Sequence, residues 1–346
     1  MNQPTPEEWQ SLYAVAAAFH RLAPWQWMAD ADLVGVEDPV TRQVGYCSVL
    51  GAGGQEFGLV VFPGPEGFAS YRRLGADASV AMGEEAGLLL RSISLLFVDR
   101  ELLEPQDRAV IGALGLRFRG RGAWPWFRSQ RPGYAPWFLE QEEARLVQLG
   151  LEQVIETAPR VLAGAVRLTS GAAGEPILTR SLGPEEWSDA WRSPAVWEAP
   201  QEEPPPVDAL RVERLRRGKR RDQGYWELDA GLMPLPIADK GERPYYPRLL
   251  LAADEAGMIV GMKMLEPWSP AGDQQEALLA LFGERPGLPR EIRVGREEMR
   301  RLVAPVAEGL GITIRVTKLG LLDAFREELL NQAYSKIPFL GVNPLR

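Results

Sequence analysis

A proline-rich acidic segment, "EAPQEEPPPVD" at residues 198–208, separates two parts of the chain that differ in composition. Proline lacks a backbone N–H and fixes φ, so this segment cannot form the interior of a helix or a strand. A chain of 346 residues also exceeds the usual size of one domain. The sequence therefore predicts two domains, residues 1–197 and 222–346, with an acidic and then basic linker at residues 198–221.

The first part of the chain combines a helical pattern with strand patterns. Apolar residues recur at helical spacing after Thr5, and Glu8 stands where it completes a capping box. Three short apolar runs follow, "DLVGVED", "QVGYCSVLG" and "EFGLVVFPG", and turn signals separate them. Because short turns favour antiparallel pairing, we expect an α+β domain that contains an antiparallel meander.

The end of this part carries two more specific predictions. The stretch "AVRLTSGAAGEPILTRSL", residues 165–182, is predicted to form a hairpin. Trp187 and Trp191 are four residues apart, which predicts that they share one face of a helix.

Residues 119–137, "RGRGAWPWFRSQRPGYAPW", hold three tryptophans and four arginines without an acidic residue. Their prolines and glycines predict a long irregular loop. Such a cluster is most commonly structural, with arginine planes over packed rings, and we favour this structural clamp over a peptide or small-ligand groove and over nucleic-acid binding. The candidate partner-binding residues of this aromatic-arginine segment are Arg119, Arg121, Trp124, Trp126, Arg128, Arg131, Tyr134 and Trp137.

A basic stretch, "RVERLRRGKRR" at residues 211–221, follows the acidic segment and has seven basic residues against one acidic residue. A mobile stretch of this kind can contact nucleic acid or an anionic partner. Pairing with the preceding acids, or a solvated helix face, is the simpler interpretation, because charge runs are usually solvated. Its candidate partner-binding residues are Arg216, Arg217, Lys219, Arg220 and Arg221.

The single histidine, His20, and the single cysteine, Cys47, exclude several functional classes. They cannot form an intramolecular disulfide or a zinc site built from cysteine and histidine ligands. The sequence also lacks GxxxxGK[ST] and GxSxG, and no apolar run reaches the roughly 18 residues that span a bilayer. We expect a cytoplasmic protein with no cofactor and no membrane partner, in which both residues are structural.

The second part of the chain has a regular order of predicted elements, β-β-β-α-β-α-β-α. A three-strand meander is followed by alternation of helices and strands, which implies parallel crossovers. The sequence therefore predicts an α/β domain with a mixed sheet.

This order of elements, with "YWELD" on its first strand, "LAADEAGMIVG" at its first hairpin and "GLPREIRVG" before the second helix, resembles the integrase and transposase core of the ribonuclease-H-like superfamily. The resemblance spans residues 222–330. It implies divalent metals held by clustered carboxylates, which hard cations prefer. Asp229 matches the first ligand, but the fourth strand ends in Val294 and Gly295 and supplies no acid. The resemblance thus implies a core without its metal chemistry.

The alternative is a metal-dependent nucleic-acid-processing enzyme, or an inactive derivative of one. It requires at least two further carboxylates to converge on Asp229, from the set Asp254, Glu297, Glu327 and Glu328.

The first part of the chain is similar to an uncharacterised bacterial family over residues 5–160, through "LAPWQWM", "VGYCSVLG", "LGLRFRGRG" and "FRSQRPGYAPWFL". That similarity implies no activity and supports a bacterial cytoplasmic protein.

Our leading hypothesis is a non-catalytic, two-domain protein that binds a macromolecular partner. A net charge of -8 disfavours nucleic acid over most of the surface, so a protein partner is favoured and nucleic acid is left to the basic stretch. A third hypothesis is a small-ligand sensor with a pocket beside Trp124, Trp126 and Tyr134.

Overall fold

The structure is a computed structural model that describes residues 3–74, 87–200, 202–222, 224–239 and 241–336. The chain forms two compact units. The first comprises the residues up to Pro132 together with Pro136–Glu198, and the second comprises Gly133–Ala135 and the residues from Ala199 onward. None of the helices in the described ranges combines the length and apolar character that a membrane-spanning segment needs.

The first unit is built on a seven-stranded sheet with the strand order β5-β4-β3-β2-β1-β6-β7. Neighbouring strands are antiparallel except β1 and β6, which are parallel. The predicted meander is confirmed and continues through β4 and β5. The strands are β1 Leu33–Glu37, β2 Val44–Leu50, β3 Gly58–Pro63, β4 Ser92–Val98, β5 Trp124–Gln130, β6 Ile177–Leu182 and β7 Trp187–Arg192.

Helices cover both faces of this sheet. The first and fourth helices pack with the larger apolar cluster on one face, and the second helix packs with a smaller cluster on the other. The first helix begins with the predicted capping box, in which Thr5 and Glu8 each bond the other's backbone N–H. The helices are α1 Pro6–Leu22, α2 Gly64–Leu74, α3 Pro105–Ala113 and α4 Gln141–Leu162, with 3-10 turns at Pro24–Gln26, Arg100–Leu102 and Ala172–Gly174.

The prediction of an irregular loop at residues 119–137 is wrong for its central part, which forms β5. β5 lies at the edge of the sheet, and Pro125 is accommodated there because an edge strand has positions whose N–H needs no partner in the sheet. Apart from Pro125, the prolines and glycines of the segment lie outside this strand, toward the two ends of the segment.

The hairpin prediction for residues 165–182 is also wrong in its position. The hairpin is formed by β6 and β7 around residues 183–186. Trp187 and Trp191 accordingly lie on a strand and not on a helix. They still share one face, because a spacing of four is an even number of residues and places side chains on the same side of a strand as well.

The second unit contains a five-stranded mixed sheet with the order β11-β10-β9-β13-β14, as predicted for an α/β domain. β9 is antiparallel to β10 and parallel to β13. A small parallel pair, β8 with β12, was not predicted. The strands are β8 Arg220–Arg221, β9 Tyr225–Leu232, β10 Arg248–Asp254, β11 Ile259–Leu265, β12 Gly287–Leu288, β13 Glu291–Val294 and β14 Thr313–Val316, and the helices are α5 Ala209–Gly218, α6 Ala271–Glu284, α7 Glu297–Leu310 and α8 Gly320–Lys336.

The basic half of the predicted linker is helical. Asp208 caps α5 by accepting hydrogen bonds from the N–H groups of Leu210 and Arg211. Val212, on the same helix, is buried in the apolar core of the second unit. The prediction of a mobile stretch therefore does not hold for Ala209–Gly218, which is anchored by a buried side chain.

Candidate functional site

The aromatic-arginine segment is organised around Arg128, which is buried on β5 with 3% of its surface exposed. Its guanidinium donates to both carboxylate oxygens of Asp107, at 2.9 and 2.8 Å, and to Glu104 at 2.8 Å. It also lies 4.5 Å from the ring centre of Trp126 and 4.7 Å from that of Phe138. Bidentate pairing and ring stacking engage the end of this buried guanidinium, so Arg128 acts as a structural clamp and offers almost no surface to a partner.

A second ion pair, between the partly exposed Arg131 and the buried Glu143, follows directly. Glu143, at the start of α4, accepts hydrogen bonds from Ser129 Oγ at 2.7 Å, from Arg131 Nη2 at 2.9 Å and from the backbone N–H of Glu140 at 3.0 Å. Burial raises the pKa of this carboxyl, but the hydrogen bonds and the nearby guanidinium outweigh burial, so the pKa lies below its ordinary value. Arg131 is therefore also committed to the fold.

Two other tryptophans of the segment, Trp124 and Trp137, are also partly buried. Trp124 packs against the apolar core, and the guanidinium of Arg100 lies 5.7 Å from its ring centre. Trp137 exchanges two backbone hydrogen bonds with Ser129, at 2.8 and 2.9 Å. Both residues therefore fasten the segment to the sheet and its surroundings.

The remaining predicted residues of the segment have different surroundings. Tyr134 is assigned to the second unit, where its ring stacks on Trp268 with centres 4.8 Å apart. Trp124, Trp126 and Tyr134 thus do not line one pocket of a single unit. Arg119 and Arg121 are exposed, and the side chain of Arg121 is 96% exposed at 3.6 Å from Asp99.

The basic stretch is partly neutralised by ion pairs. Arg216 and Arg217 both pair with Glu213 on the same helix, at 2.8 and 2.5 Å, and remain exposed. Lys219 donates from Nζ to two main-chain carbonyls around the end of α6, at 2.7 and 2.6 Å.

The last two residues of that stretch belong to β8. Arg220 pairs with Asp222 at 3.0 Å, and the backbone of Arg221 continues the strand. Much of the positive charge predicted to be mobile is therefore paired locally.

Asp229, the candidate first metal ligand, lies buried on the central strand β9. Its Oδ2 lies 2.6 Å from Arg326 Nη1, and its Oδ1 lies 3.7 Å from Arg296 Nη2. Guanidinium groups thus occupy the space through which a metal ion would approach this carboxylate, and their positive charge would repel the ion. This carboxylate does not fit a metal site.

The other four candidate ligands either bind groups of their own or are exposed. Asp254 accepts two backbone N–H groups of its own turn, both at 3.0 Å, and Glu297 pairs with Arg300 at 2.6 Å. Glu327 and Glu328 are exposed on α8. In the part of the chain that the structure describes, no three histidine, cysteine, aspartate or glutamate side chains come together as a metal ion would require.

The lone cysteine and histidine have structural surroundings. Cys47 is buried, and burial raises its pKa to about 12, so the thiol remains protonated at neutral pH. The ring of His20 packs edge-on against Phe97, with centres 4.4 Å apart. This arrangement agrees with the prediction that both residues are structural.

Sequence reasoning missed an exposed apolar surface on the second unit, which we call the methionine edge: Met258, Met262, Met264 and Trp268. Each of these side chains is between 47% and 66% exposed. Met262 and Met264 lie two residues apart on β11, the edge strand of the sheet, and therefore point to one side. Lys263 lies between them and pairs with Glu284. The alternation "MKM" was the only local signal for this surface.

Two family models match the chain, one in each part. Residues 9–180 match a domain of unknown function, DUF7309, and residues 211–330 match a second domain of unknown function, DUF6930. These matches agree with the expectation of an uncharacterised family. No curated protein matches the chain.

One solved structure with a partial match is the cryoEM structure of the simian T-cell lymphotropic virus intasome in complex with PP2A regulatory subunit B56 gamma. Its matching chain is 17% identical, and the match covers 37% of this chain and 47% of that chain with a TM-score of 0.25. A likeness at that TM-score carries no argument about fold or activity.

Replacing Arg128 by alanine should destabilise the first unit strongly. The change leaves the largely buried carboxylate of Asp107 without its cation, which should lower the free energy of unfolding by about 3–5 kcal/mol. Urea denaturation measures this loss. The matched control is Arg121→Ala at an exposed position, for which we expect a change within about 0.5 kcal/mol. Similar small losses in both variants would contradict the clamp.

The lowered pKa of Glu143 predicts acid sensitivity. Because its native pKa lies below the ordinary value of 4.5, its stabilising contribution is fully present above pH 4.5 and is lost as the pH falls through the native pKa. Glu143→Gln should therefore be less stable than the wild type near neutral pH, and the difference should shrink in acid. Urea midpoints as a function of pH test this, with exposed Glu142→Gln as the control. Parallel curves for wild type and Glu143→Gln would contradict it.

Proposed function

We propose that this chain is a non-catalytic, two-domain bacterial cytoplasmic protein whose second unit binds a protein partner through the methionine edge. The observation that carries the proposal is the exposure of four large apolar side chains on and beside the edge strand β11. Met262 and Met264 are neighbours on one side of that strand, and adjacent exposed apolar groups are typical of interaction surfaces. The single, buried cysteine supports a reducing compartment.

We further propose that the second unit is a ribonuclease-H-like domain that has no metal chemistry. The strand order β11-β10-β9-β13-β14, with α6 before β13 and α7 between β13 and β14, supports this fold. The pairing of Asp229 with Arg326 supports the loss of metal chemistry, because the carboxylate already has a cation. The metal-dependent enzyme is therefore the less favoured alternative.

The geometry of β11 suggests how a partner binds. An edge strand points half of its N–H and C=O groups away from its sheet, and an extended peptide can pair with them. Charged side chains protect many exposed edges, and Lys263 lies on this one, but it pairs with Glu284 and leaves Met262 and Met264 exposed on the other side of the strand. Methionine is flexible and polarizable, so it adapts to apolar side chains of a partner. We propose that an extended apolar segment of another protein adds to β11 as a strand.

A protein partner is favoured over nucleic acid on the grounds of charge. The net charge is -8, and Arg216, Arg217 and Arg220 of the basic stretch are paired with nearby carboxylates. Phosphate binding needs concentrated positive charge, which these pairs reduce.

A metal titration separates the binding protein from the metal-dependent alternative. Asp229→Ala should lower the free energy of unfolding by about 1–3 kcal/mol, because Arg326 loses its carboxylate. Mg²⁺ and Mn²⁺ should give no saturable heat in calorimetry with the full chain, either before or after the substitution. Saturable heat that disappears in Asp229→Ala would contradict the proposal and favour the enzyme.

Site-specific photo-crosslinking tests the methionine edge directly. A photoreactive amino acid at Met264 should give one discrete adduct in cells, whereas the same group at exposed Val40 of the first unit should not. A second change, Met262→Glu, should abolish the adduct because it places a charge in the apolar contact, while the exposed position leaves the fold intact.

The cross-linked protein is then identified and purified for a binding measurement. Met262→Glu should weaken its affinity for the full chain by at least about tenfold, because burying an unpaired carboxylate costs 1.4 kcal/mol or more. The proposal fails if Met264 gives no more adduct than Val40, or if Met262→Glu leaves adduct and affinity unchanged.

A further inference from the structure

A groove on the first unit has features of a ligand site and is independent of the methionine edge. It has a volume of about 520 Å³ and lies between α1, α4 and the β6–β7 hairpin. Its polar lining includes Arg180 from β6 and Gln153 from α4. Both side chains belong to residues that are at least nine-tenths buried, at 9% and 4% exposure.

Arg180 has an incomplete set of partners. Its Nε lies 3.3 Å from Asp189 Oδ1, but the other oxygen of Asp189 accepts a hydrogen bond from Arg160 at 2.6 Å. Two guanidinium groups therefore share one carboxylate. Nε forms this ion pair without the geometry of a hydrogen bond, and both Nε and Nη1 of Arg180 are buried without a hydrogen-bond acceptor.

Gln153 is the second buried group without a partner. Its Oε1 receives no hydrogen bond, although the residue is almost fully buried. Leaving a buried donor or acceptor unpaired costs free energy, and native proteins rarely do so without a ligand or water to complete the bonds. A ligand that satisfies this groove must offer an acceptor to Arg180 and a donor to Gln153.

The rest of the lining restricts the ligand further. Val15, Ile155 and Trp187 form an apolar wall. Glu152 and Glu156 lie one turn apart on α4 and also line the groove. Two carboxylates repel a ligand with several negative charges, such as a nucleotide, and attract an ammonium group.

We propose that this groove binds an α-amino acid with an apolar side chain. The carboxylate pairs with Arg180, the ammonium group donates to Gln153 beside the two glutamates, and the side chain packs on Trp187. A zwitterion of this class offers an anionic group to Arg180 and a cationic group to Gln153 and the two glutamates. This site goes beyond the proposed partner binding and does not depend on it.

Calorimetry with the full chain tests the proposal, with L-leucine and L-phenylalanine as probes. Phenethylamine, which lacks the carboxylate, and 3-phenylpropionate, which lacks the amine, are the matched comparison ligands. We expect saturable binding of an amino acid at one site and at least about tenfold weaker binding of both comparison ligands, because each lacks one charge-assisted hydrogen bond.

Two variants locate the binding in the groove. Arg180→Gln removes the cation, and Ala14→Phe fills the groove from an exposed position of α1 without changing its polar groups. Each should weaken binding by at least about tenfold. Ser11→Phe, exposed on the same helix and outside the groove, should bind as the wild type does.

Three results would overturn the proposal. The first is the absence of saturable heat with either amino acid up to about 10 mM, a concentration that reveals even weak binding. The second is unchanged affinity in Ala14→Phe, which keeps the test valid even if Arg180→Gln folds poorly. The third is equally tight binding of 3-phenylpropionate, which would show that the groove recognises a simple carboxylate and not a zwitterion.

Discussion

The buried guanidinium of Arg128 connects the edge of the first sheet to a helix, and the local structure depends on it. Asp107 closes the capping box of α3 by accepting the N–H of Glu104 at 2.9 Å, and the same carboxylate pairs with Arg128. The start of α3 and the edge strand β5 are thus held by one cation and two carboxylates. Because such a pair is buried, losing either partner leaves an uncompensated charge.

The second unit attaches its last helix in a related way. β9 carries two buried carboxylates, Glu227 and Asp229. Glu227 accepts the N–H groups of Leu321 and Leu322 at the start of α8, where the helix dipole favours a negative charge, and Asp229 pairs with Arg326 from the same helix. Asp229, which the resemblance associates with a metal, is used here together with Glu227 to hold a helix on the sheet.

Periodicity in the sequence was sufficient to predict the meander, the capped first helix and the mixed sheet, because these depend on local patterns. It failed for residues 119–137, where proline and glycine obscured an edge strand. The role of Arg128 depends on Asp107, which lies 21 residues earlier in the sequence. A local sequence pattern does not relate residues that are so far apart. The pairing of Asp229 with Arg326 is hidden for the same reason. The methionine edge had a weak short-range signal, the alternation of methionine with lysine.

The balance of charges distinguishes structural arginines from one that is available to a ligand. At Arg128 one guanidinium pairs with two carboxylates. An anionic ligand would have to break these ion pairs to bind the guanidinium, which costs free energy. At Arg180 the neighbouring carboxylate of Asp189 is shared with the partly exposed Arg160, so the buried guanidinium of Arg180 is paired less completely. A buried charge without compensation is costly, and an anionic group of a ligand reduces that cost. The same residue type therefore stabilises one site and prepares the other for binding.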